Sequence, residues 1–204
     1  MNEVAKGDTN AKAFEVYADI LDSLYTSDDI RMYFTTNHDE NSWNGTIEER
    51  FGDAGLTYFV LASTYGNGMP LIYSGQEMGL NHRLSFFGKD LITWQRPELG
   101  PFYARCLELK HKNPALWNGN YGGKMNVISQ DSDNVLVYTR ENGENKVVVM
   151  LNFSDEVQMF ANNVAYEGEF LDWYNGVVTY SFTDVPQIKL APYEFKVFVQ
   201  NQQQ

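Results

Sequence analysis

Three adjacent residues, Asn37, His38 and Asp39, offer an amide, an imidazole and a carboxylate directly after the apolar run 32–34. A carboxylate accepts hydrogen bonds, an imidazole N–H donates them, and an amide can fix either partner. Together they are equipped to grip neighbouring hydroxyl groups such as those of a sugar ring. The same residue types also have a plain structural use, because Asn and Asp close turns on their own backbone. What separates the two readings is whether the surrounding elements put the trio at the end of a parallel strand, where α/β folds carry their chemistry. A metal site built from His38, Asp39 and Glu40 is disfavoured, since successive side chains of an extended segment point to opposite sides and do not converge on one ion.

The elements that must position the trio can be read from periodicity. Phe14, Tyr17, Leu21 and Leu24, with charged residues between them, predict an amphipathic helix over 11–25. A buried strand over 31–34 follows. Thr46 and Glu49 make a capping box, and Phe51, Gly55, Tyr58, Leu61, Ala62 and Tyr65 line one face of a second helix that ends near Gly66-Asn67-Gly68. A second buried strand over 70–73 runs into Ser74-Gly75-Gln76-Glu77, again polar residues at a strand end, and then into a long irregular loop. Pro101 suits the first turn of a third helix carrying Phe102, Cys106 and Leu109, which stops at Asn113-Pro114. Helix, strand, helix, strand, helix is a fragment of a βα repeat, with strands apolar enough to be covered on both faces.

Beyond Pro114 the pattern changes. Runs at 135–138, 146–151, around Phe170, at 177–182 and at 195–199 are separated by turn residues, with Asn142-Gly143 and Asn175-Gly176 as hairpin loops. The expected organisation is an α/β region over 1–113 and an all-β sandwich over 114–204 that folds as a unit of its own. Asp131-Ser132-Asp133-Asn134 lacks the Gly and distal Glu of a calcium loop and reads as a turn.

Composition narrows the partners. A net charge of -12, from 27 acidic and 15 basic residues with no basic run, argues against nucleic acid and against an anionic membrane. The hydrophobic share of 43% supports a real core, and the aromatic share of 15% suits carbohydrate stacking although most rings belong to that core. The single cysteine, Cys106, sits in an apolar helical pattern, so no internal disulfide can form and a buried, inert thiol is expected. Residues 1–12 are polar and no apolar run is long enough to span a bilayer, so the chain as given carries neither a signal peptide nor a membrane segment, and its localisation stays open.

Phe34-Thr35-Thr36-Asn37-His38-Asp39 resembles the motif that closes the seventh barrel strand in the α-amylase family of glycoside hydrolases. Gly68-Met69-Pro70-Leu71-Ile72-Tyr73-Ser74-Gly75-Gln76-Glu77 resembles the motif around the eighth. The single helix between them fits the family's spacing. Phe102-Tyr103, Leu107, Leu109-Lys110 and Asn113-Pro114-Ala115-Leu116 are similar to the last barrel helix and its exit, and Leu190-Ala191-Pro192-Tyr193-Glu194 with Val197 to the close of the C-terminal sandwich.

This resemblance implies the C-terminal portion of a TIM (β/α)8 barrel, about strands seven and eight with their helices, followed by an antiparallel β-sandwich. It implies a retaining glycosidase acting on α-glucans or related α-glucosides. Carried over by residue, Asp39 becomes the carboxylate that stabilises the transition state and His38 a substrate hydrogen-bond donor, with Asn37 beside them. Arg83, Trp43 and Trp94 lie on loops of the same rim and are candidates for lining sugar subsites. Glu77 is expected to be a buried structural acceptor. The partner implied is an α-glucan or oligosaccharide. The chain itself calls for no cofactor and no metal, and the resemblance leaves a structural calcium open for the parent protein.

The family's nucleophilic aspartate and acid/base glutamate, on strands four and five, have no counterpart in this sequence. The expectation is therefore a fragment of a larger enzyme, inactive alone, whose bare strand edges pair with a second copy or with the missing barrel half, or are hidden by rearrangement against the sandwich; the compartment is open, with a secreted or periplasmic parent as one option. The competing reading is a non-catalytic carbohydrate-binding or scaffold protein derived from the same fold. His38 and Asp39 favour the enzyme, because a scaffold has no chemical need of them.

Overall fold

The computed structural model describes residues 1–176 and 179–200. Its first part mixes helix and strand: α1 (Asn2–Ala5), α2 (Lys12–Leu24), β1 (Arg31–Tyr33), a π-helical turn (Glu40–Asn44), α3 (Ile47–Phe51), α4 (Gly55–Thr64), β2 (Gly68–Pro70) and α5 (Gly100–Lys112). Its second part is built of strands: β3 (Lys124–Val127), β4 (Val135–Asn142), β5 (Asn145–Asn152), β6 (Gln158–Ala161), β7 (Glu169–Asp172), β8 (Thr179–Ser181), β9 (Gln187–Leu190) and β10 (Phe195–Gln200). Val177 and Val178, which open the run expected at 177–182, lie outside the described residues.

β1 and β2 pair in parallel, Arg31 opposite Gly68, Met32 opposite Met69 and Tyr33 opposite Pro70. The second strand therefore sits two residues earlier than the expected 70–73. The reason is steric: the ring of Tyr33 lies on Gly68, where a Cβ would come within 2.1 Å of it, so the ladder begins where a side chain is absent. Pro70 has no N–H to give, and the next residue, Leu71, donates to the carbonyl of Tyr33 at 2.8 Å. Nor are the strands covered on both faces. Met32 and Met69 are 49% and 45% exposed, because each strand has one strand partner among the described residues.

Two helices also depart from expectation. The buried stripe of α2 is Phe14, Ala18 and Leu21, while Tyr17 and Leu24 face outward, and the Tyr17 ring stacks on that of Tyr65. The continuous helix expected after Thr46 breaks at Gly52, whose φ of 53° leaves the right-handed helical region, so α3 and α4 are separate. The capping box at the start of α3 is present: Thr46 Oγ1 accepts from Glu49 N, and Glu49 Oε2 accepts from Thr46 N at 2.7 Å. α4 is buried almost all round, with Tyr58, Phe59, Val60, Leu61 and Ala62 inaccessible.

The β region explains why α4 is so deeply covered. Six strands form an antiparallel sheet in the order β3-β4-β5-β10-β7-β8, and β6 and β9 form a separate two-stranded sheet. Alternation divides the side chains of the large sheet. Leu136, Tyr138, Val147, Val149, Leu151 and Val197 point to the helices and join Phe14, Tyr58, Phe59 and Leu109 in one core. Val135, Val137, Val148, Met150 and Phe198 point the other way and meet Phe160, Ile188 and Leu190 from β6 and β9 in a second core. β4 and β5 are covered on both faces, which is why they read as nearly continuous apolar runs. One apolar face of the large sheet is thus covered by the helices of the first part, and residues 114–204 alone would leave that face to water.

One buried charge fastens the two parts together. Arg140, on β4, is 2% exposed. Its guanidinium donates to the carbonyls of Gly123 at 2.8 Å, Thr64 at 3.2 Å, Gly66 at 2.5 Å and Trp117 at 3.1 Å. Burial holds its pKa down at about 10. Close by, Lys110 donates to the carbonyl of Leu116 at 2.6 Å and to Asn118 Oδ1 at 2.9 Å. Burial, helped by the Arg140 charge, pushes the Lys110 amine down to about 7.

Arg140→Leu should cost about 3 kcal/mol or more of stability, because it leaves buried carbonyls without their donor; urea denaturation measures it. Lys110 predicts a pH dependence. The unfolded chain keeps this proton up to its ordinary pKa of 10.5 whereas the folded chain releases it near 7. Between those values the unfolded state binds more protons, so stability rises with pH. Denaturation midpoints compared between about pH 7 and pH 9 should climb, and Lys110→Met should flatten the climb.

Candidate functional site

The end of β1 turns into the π-helical turn through residues that are locked from below. Thr35 and Thr36 are buried, the carbonyl of Thr35 accepts from Arg50 Nη1 at 3.0 Å, and its hydroxyl accepts from Gln76 Nε2 at 2.9 Å. Gln76 also accepts from the backbone N–H of Tyr73 and reaches the hydroxyl of Tyr103, so one amide joins the ends of both strands to α5. Asn37 is half-buried. Its side-chain oxygen accepts from Glu40 N at 2.7 Å and its carbonyl from Asn41 N at 2.9 Å, which makes it the residue that starts the turn.

Above this base, His38 and Asp39 stand out into solvent. His38 Nε2 lies 3.4 Å from Asp39 Oδ2, with the side chains 66% and 58% exposed. Glu40 goes the other way, to Arg50 Nη2 at 2.6 Å, a pair far less exposed. The turn thus separates neighbouring groups, presenting an imidazole and a carboxylate together and drawing the next carboxylate inward. An exposed carboxylate beside an imidazole can accept from one hydroxyl and direct a donor to another.

Arg83 is not aimed at this pair. Its guanidinium grips Glu49 with two hydrogen bonds, Nε to Oε2 at 2.8 Å and Nη2 to Oε1 at 3.1 Å, and this holds the Glu49 carboxyl below its usual range. Glu77 corrects a further expectation. It is half-buried, and its buried Oε2 has no hydrogen-bond partner; the satisfied buried acceptor at this strand end is Gln76 instead.

The long loop after β2 folds back along the π-helical turn. Asn41 Nδ2 donates to the carbonyl of His82 at 3.0 Å, Asn41 Oδ1 accepts from Leu84 N at 2.8 Å, and Ser42 Oγ donates to the carbonyl of Leu84 at 2.7 Å. Asp90 closes the loop on itself, taking Ser85 N at 2.9 Å and His82 Nε2 at 3.0 Å, which lowers the pKa of its carboxyl. This stitching brings Phe86 against both Trp43 (ring centroids 5.2 Å apart) and His38 (6.0 Å), with Phe87 next to Phe86 at 4.8 Å. The sequence reading singled out Trp43 but not Phe86 or Phe87. The available signal was two adjacent phenylalanines in an otherwise polar, irregular loop. Trp94 is exposed and joins no ring cluster among the described residues.

No family model matches the chain. Among curated proteins it is 27% identical over 176 residues to α-amylase 2 of Dictyoglomus thermophilum, covering 79% of this chain and 29% of that one. It is 24% identical over 191 residues to a cyclomaltodextrin glucanotransferase of Klebsiella oxytoca, covering 79% and 28%. Among solved structures, a maltogenic α-amylase from Thermotoga neapolitana superposes with a TM-score of 0.78 at 19% identity, over 97% of this chain and 47% of that one. An α-amylase from Lactobacillus plantarum gives 0.72 at 17% identity, over 97% and 44%. The chain thus spans less than a third of the length of these curated relatives and less than half of these structures. In sequence and fold the chain is similar to the C-terminal portion of α-amylase family proteins.

Proposed function

We propose that this chain supplies one wall of the active site of a retaining α-glucan-active glycosidase. In this reading β1 and β2 are about the seventh and eighth strands of a (β/α)8 barrel spanning residues 1–113 in part, and 114–204 is the β-sandwich that follows it. Asp39 holds ring hydroxyls next to the reacting carbon, His38 donates to a neighbouring hydroxyl, and Asn37 starts the turn that presents them at the edge of the sugar site, while Arg83, held on Glu49, braces the loop beside it. The observation that carries the reading is the exposed His38–Asp39 pair at the C-terminal end of a parallel strand, in a chain related to α-amylases.

The chemistry follows from what these groups can and cannot do. Retaining hydrolysis needs two carboxyl groups about 5 Å apart across the scissile bond, one as nucleophile and one as acid and then base. Asp39 is neither. Its contribution is to bind hydroxyls whose polarity changes as the ring flattens toward an oxocarbenium ion, so the contact strengthens as the barrier is climbed. Hydroxyl contacts of this kind lower the barrier without forming any bond to the sugar. The nucleophile and the proton donor come from outside this sequence.

Two outcomes are expected. The 204-residue chain, purified alone, should not turn over starch or an aryl α-glucoside. In an enzyme that joins it to the remaining barrel strands, Asp39→Asn should lower kcat by on the order of two to three decades with the fold intact, and His38→Ala should lower it less. Near-normal turnover by the Asp39→Asn enzyme would remove Asp39 from the active site. Affinity for oligosaccharide with no turnover in the complete enzyme would favour the carbohydrate-binding scaffold.

A further inference from the structure

We propose that Lys110 is a nucleophilic amine that condenses with an aldehyde carrying an apolar or aromatic body, seated in the groove between β2 and α5. The groove shares no lining residue with the turn that carries His38 and Asp39, so this site stands apart from the role given to that pair.

The groove has a volume of about 790 Å³ and is walled by Met69 and Pro70 of β2, Leu107 of α5 and Trp117 just beyond it, with Lys110 among its lining residues. Met69, Leu107 and Trp117 are 45%, 39% and 41% exposed, so these walls are apolar surface left in water. Surface of that kind favours a ligand with an apolar face.

What singles out the amine is its set of partners. Lys110 Nζ donates to the carbonyl of Leu116 at 2.6 Å and to Asn118 Oδ1 at 2.9 Å. It has no carboxylate partner among the described residues, and Glu108, the carboxylate that lines the same groove, is held by Lys112 at 2.7 Å. Trp117, between Leu116 and Asn118, gives its carbonyl to Arg140 at 3.1 Å, so two cationic side chains converge on three consecutive residues. A guanidinium keeps its proton, and the lysine is the group that can shed one. A neutral amine has two N–H groups, which Leu116 and Asn118 take up, and retains a lone pair. Burial, helped by the Arg140 charge, holds the Lys110 amine at about 7. Desolvation beside a second cation is the setting in which a lysine becomes a nucleophile toward carbonyl compounds.

In the reaction the lone pair of Nζ attacks the aldehyde carbon and a C–N bond forms. The carbonyl oxygen then leaves as water with the two hydrogens of the amine, and an imine remains. No oxidant or reductant takes part. His111, the next residue on α5 and another lining group of the groove, can pass a proton to the departing oxygen.

The test is reaction of the full chain with benzaldehyde in the presence of sodium cyanoborohydride, which reduces each imine to a stable benzylamine, followed by peptide mapping with mass spectrometry. At about pH 7 Lys110 should take up the label at least about tenfold faster than the exposed Lys112 and Lys124, which stay almost wholly protonated. Its rate should level off above about pH 8 while theirs keep rising, because its amine is already free there. In denaturing urea the preference for Lys110 should vanish. Trp117→Ala should slow benzaldehyde labelling of Lys110 severalfold and leave its labelling by acetaldehyde, which has no ring to seat, unchanged. Labelling of Lys110 no faster than that of Lys112 and Lys124, or a preference that survives in urea, would overturn the proposal. Undiminished benzaldehyde labelling in Trp117→Ala would overturn the groove as the seat of the aldehyde.

Discussion

A guanidinium buried without a carboxylate is the constraint on which this structure turns. Arg140 satisfies its donors with backbone carbonyls, and two of them, Thr64 and Gly66, lie at the C-terminal end of α4. There the unpaired carbonyls and the helix dipole concentrate negative charge, so the helix end takes the place of a counter-ion. The other two acceptors, Gly123 and Trp117, belong to the segment that carries the chain from α5 into the large sheet. One side chain thereby fixes the end of a helix, the exit of another and a strand relative to one another.

The geometry of the candidate site inherits this junction. α4 ends beside Arg140 and leads through Gly66 and Asn67 into β2, β2 sets the register of β1, and β1 delivers residues 35–39. At the other end of the strands, the Gln76 amide links Thr35 to the chain after β2 and to Tyr103 on α5. The exposed His38–Asp39 pair is therefore carried on a short segment whose flanking residues are buried and hydrogen-bonded. Positioning of this kind lets exposed groups keep a defined orientation even though they make few contacts themselves.

The large sheet has a structural task that its place in the sequence does not suggest. It backs the helices with one face and β6 and β9 with the other, so the core under α4 is completed by residues nearly a hundred positions downstream, as when the Tyr58 ring meets Phe153 at 4.9 Å. Cys106 sits at the same junction, within hydrogen-bonding distance of the Tyr174 hydroxyl, and burial pushes its thiol up to about 12. At that value it is a packing residue and not a nucleophile.

Local chemistry was legible in the amino-acid order alone. The Thr46–Glu49 capping box, the stop at Asn113-Pro114, the change to strands beyond it, the β4–β5 hairpin and the buried Cys106 all depend on residues close to one another in the chain. Short-range propensity and capping decide such features whatever surrounds them. Other features were decided only when distant segments met. The register of β1 on β2 was set by the ring of Tyr33 against Gly68. Gln76 rather than Glu77 became the buried amide link because Thr35 and Tyr103 converge on it. The joining of Phe86 to Trp43 and the burial of Arg140 likewise rest on hydrogen bonds between segments about 40 and more than 70 residues apart. Side-chain periodicity says which residues want to be covered, but what covers them, and which polar group then has to be satisfied, is fixed by packing and by the high cost of leaving a buried donor or acceptor alone.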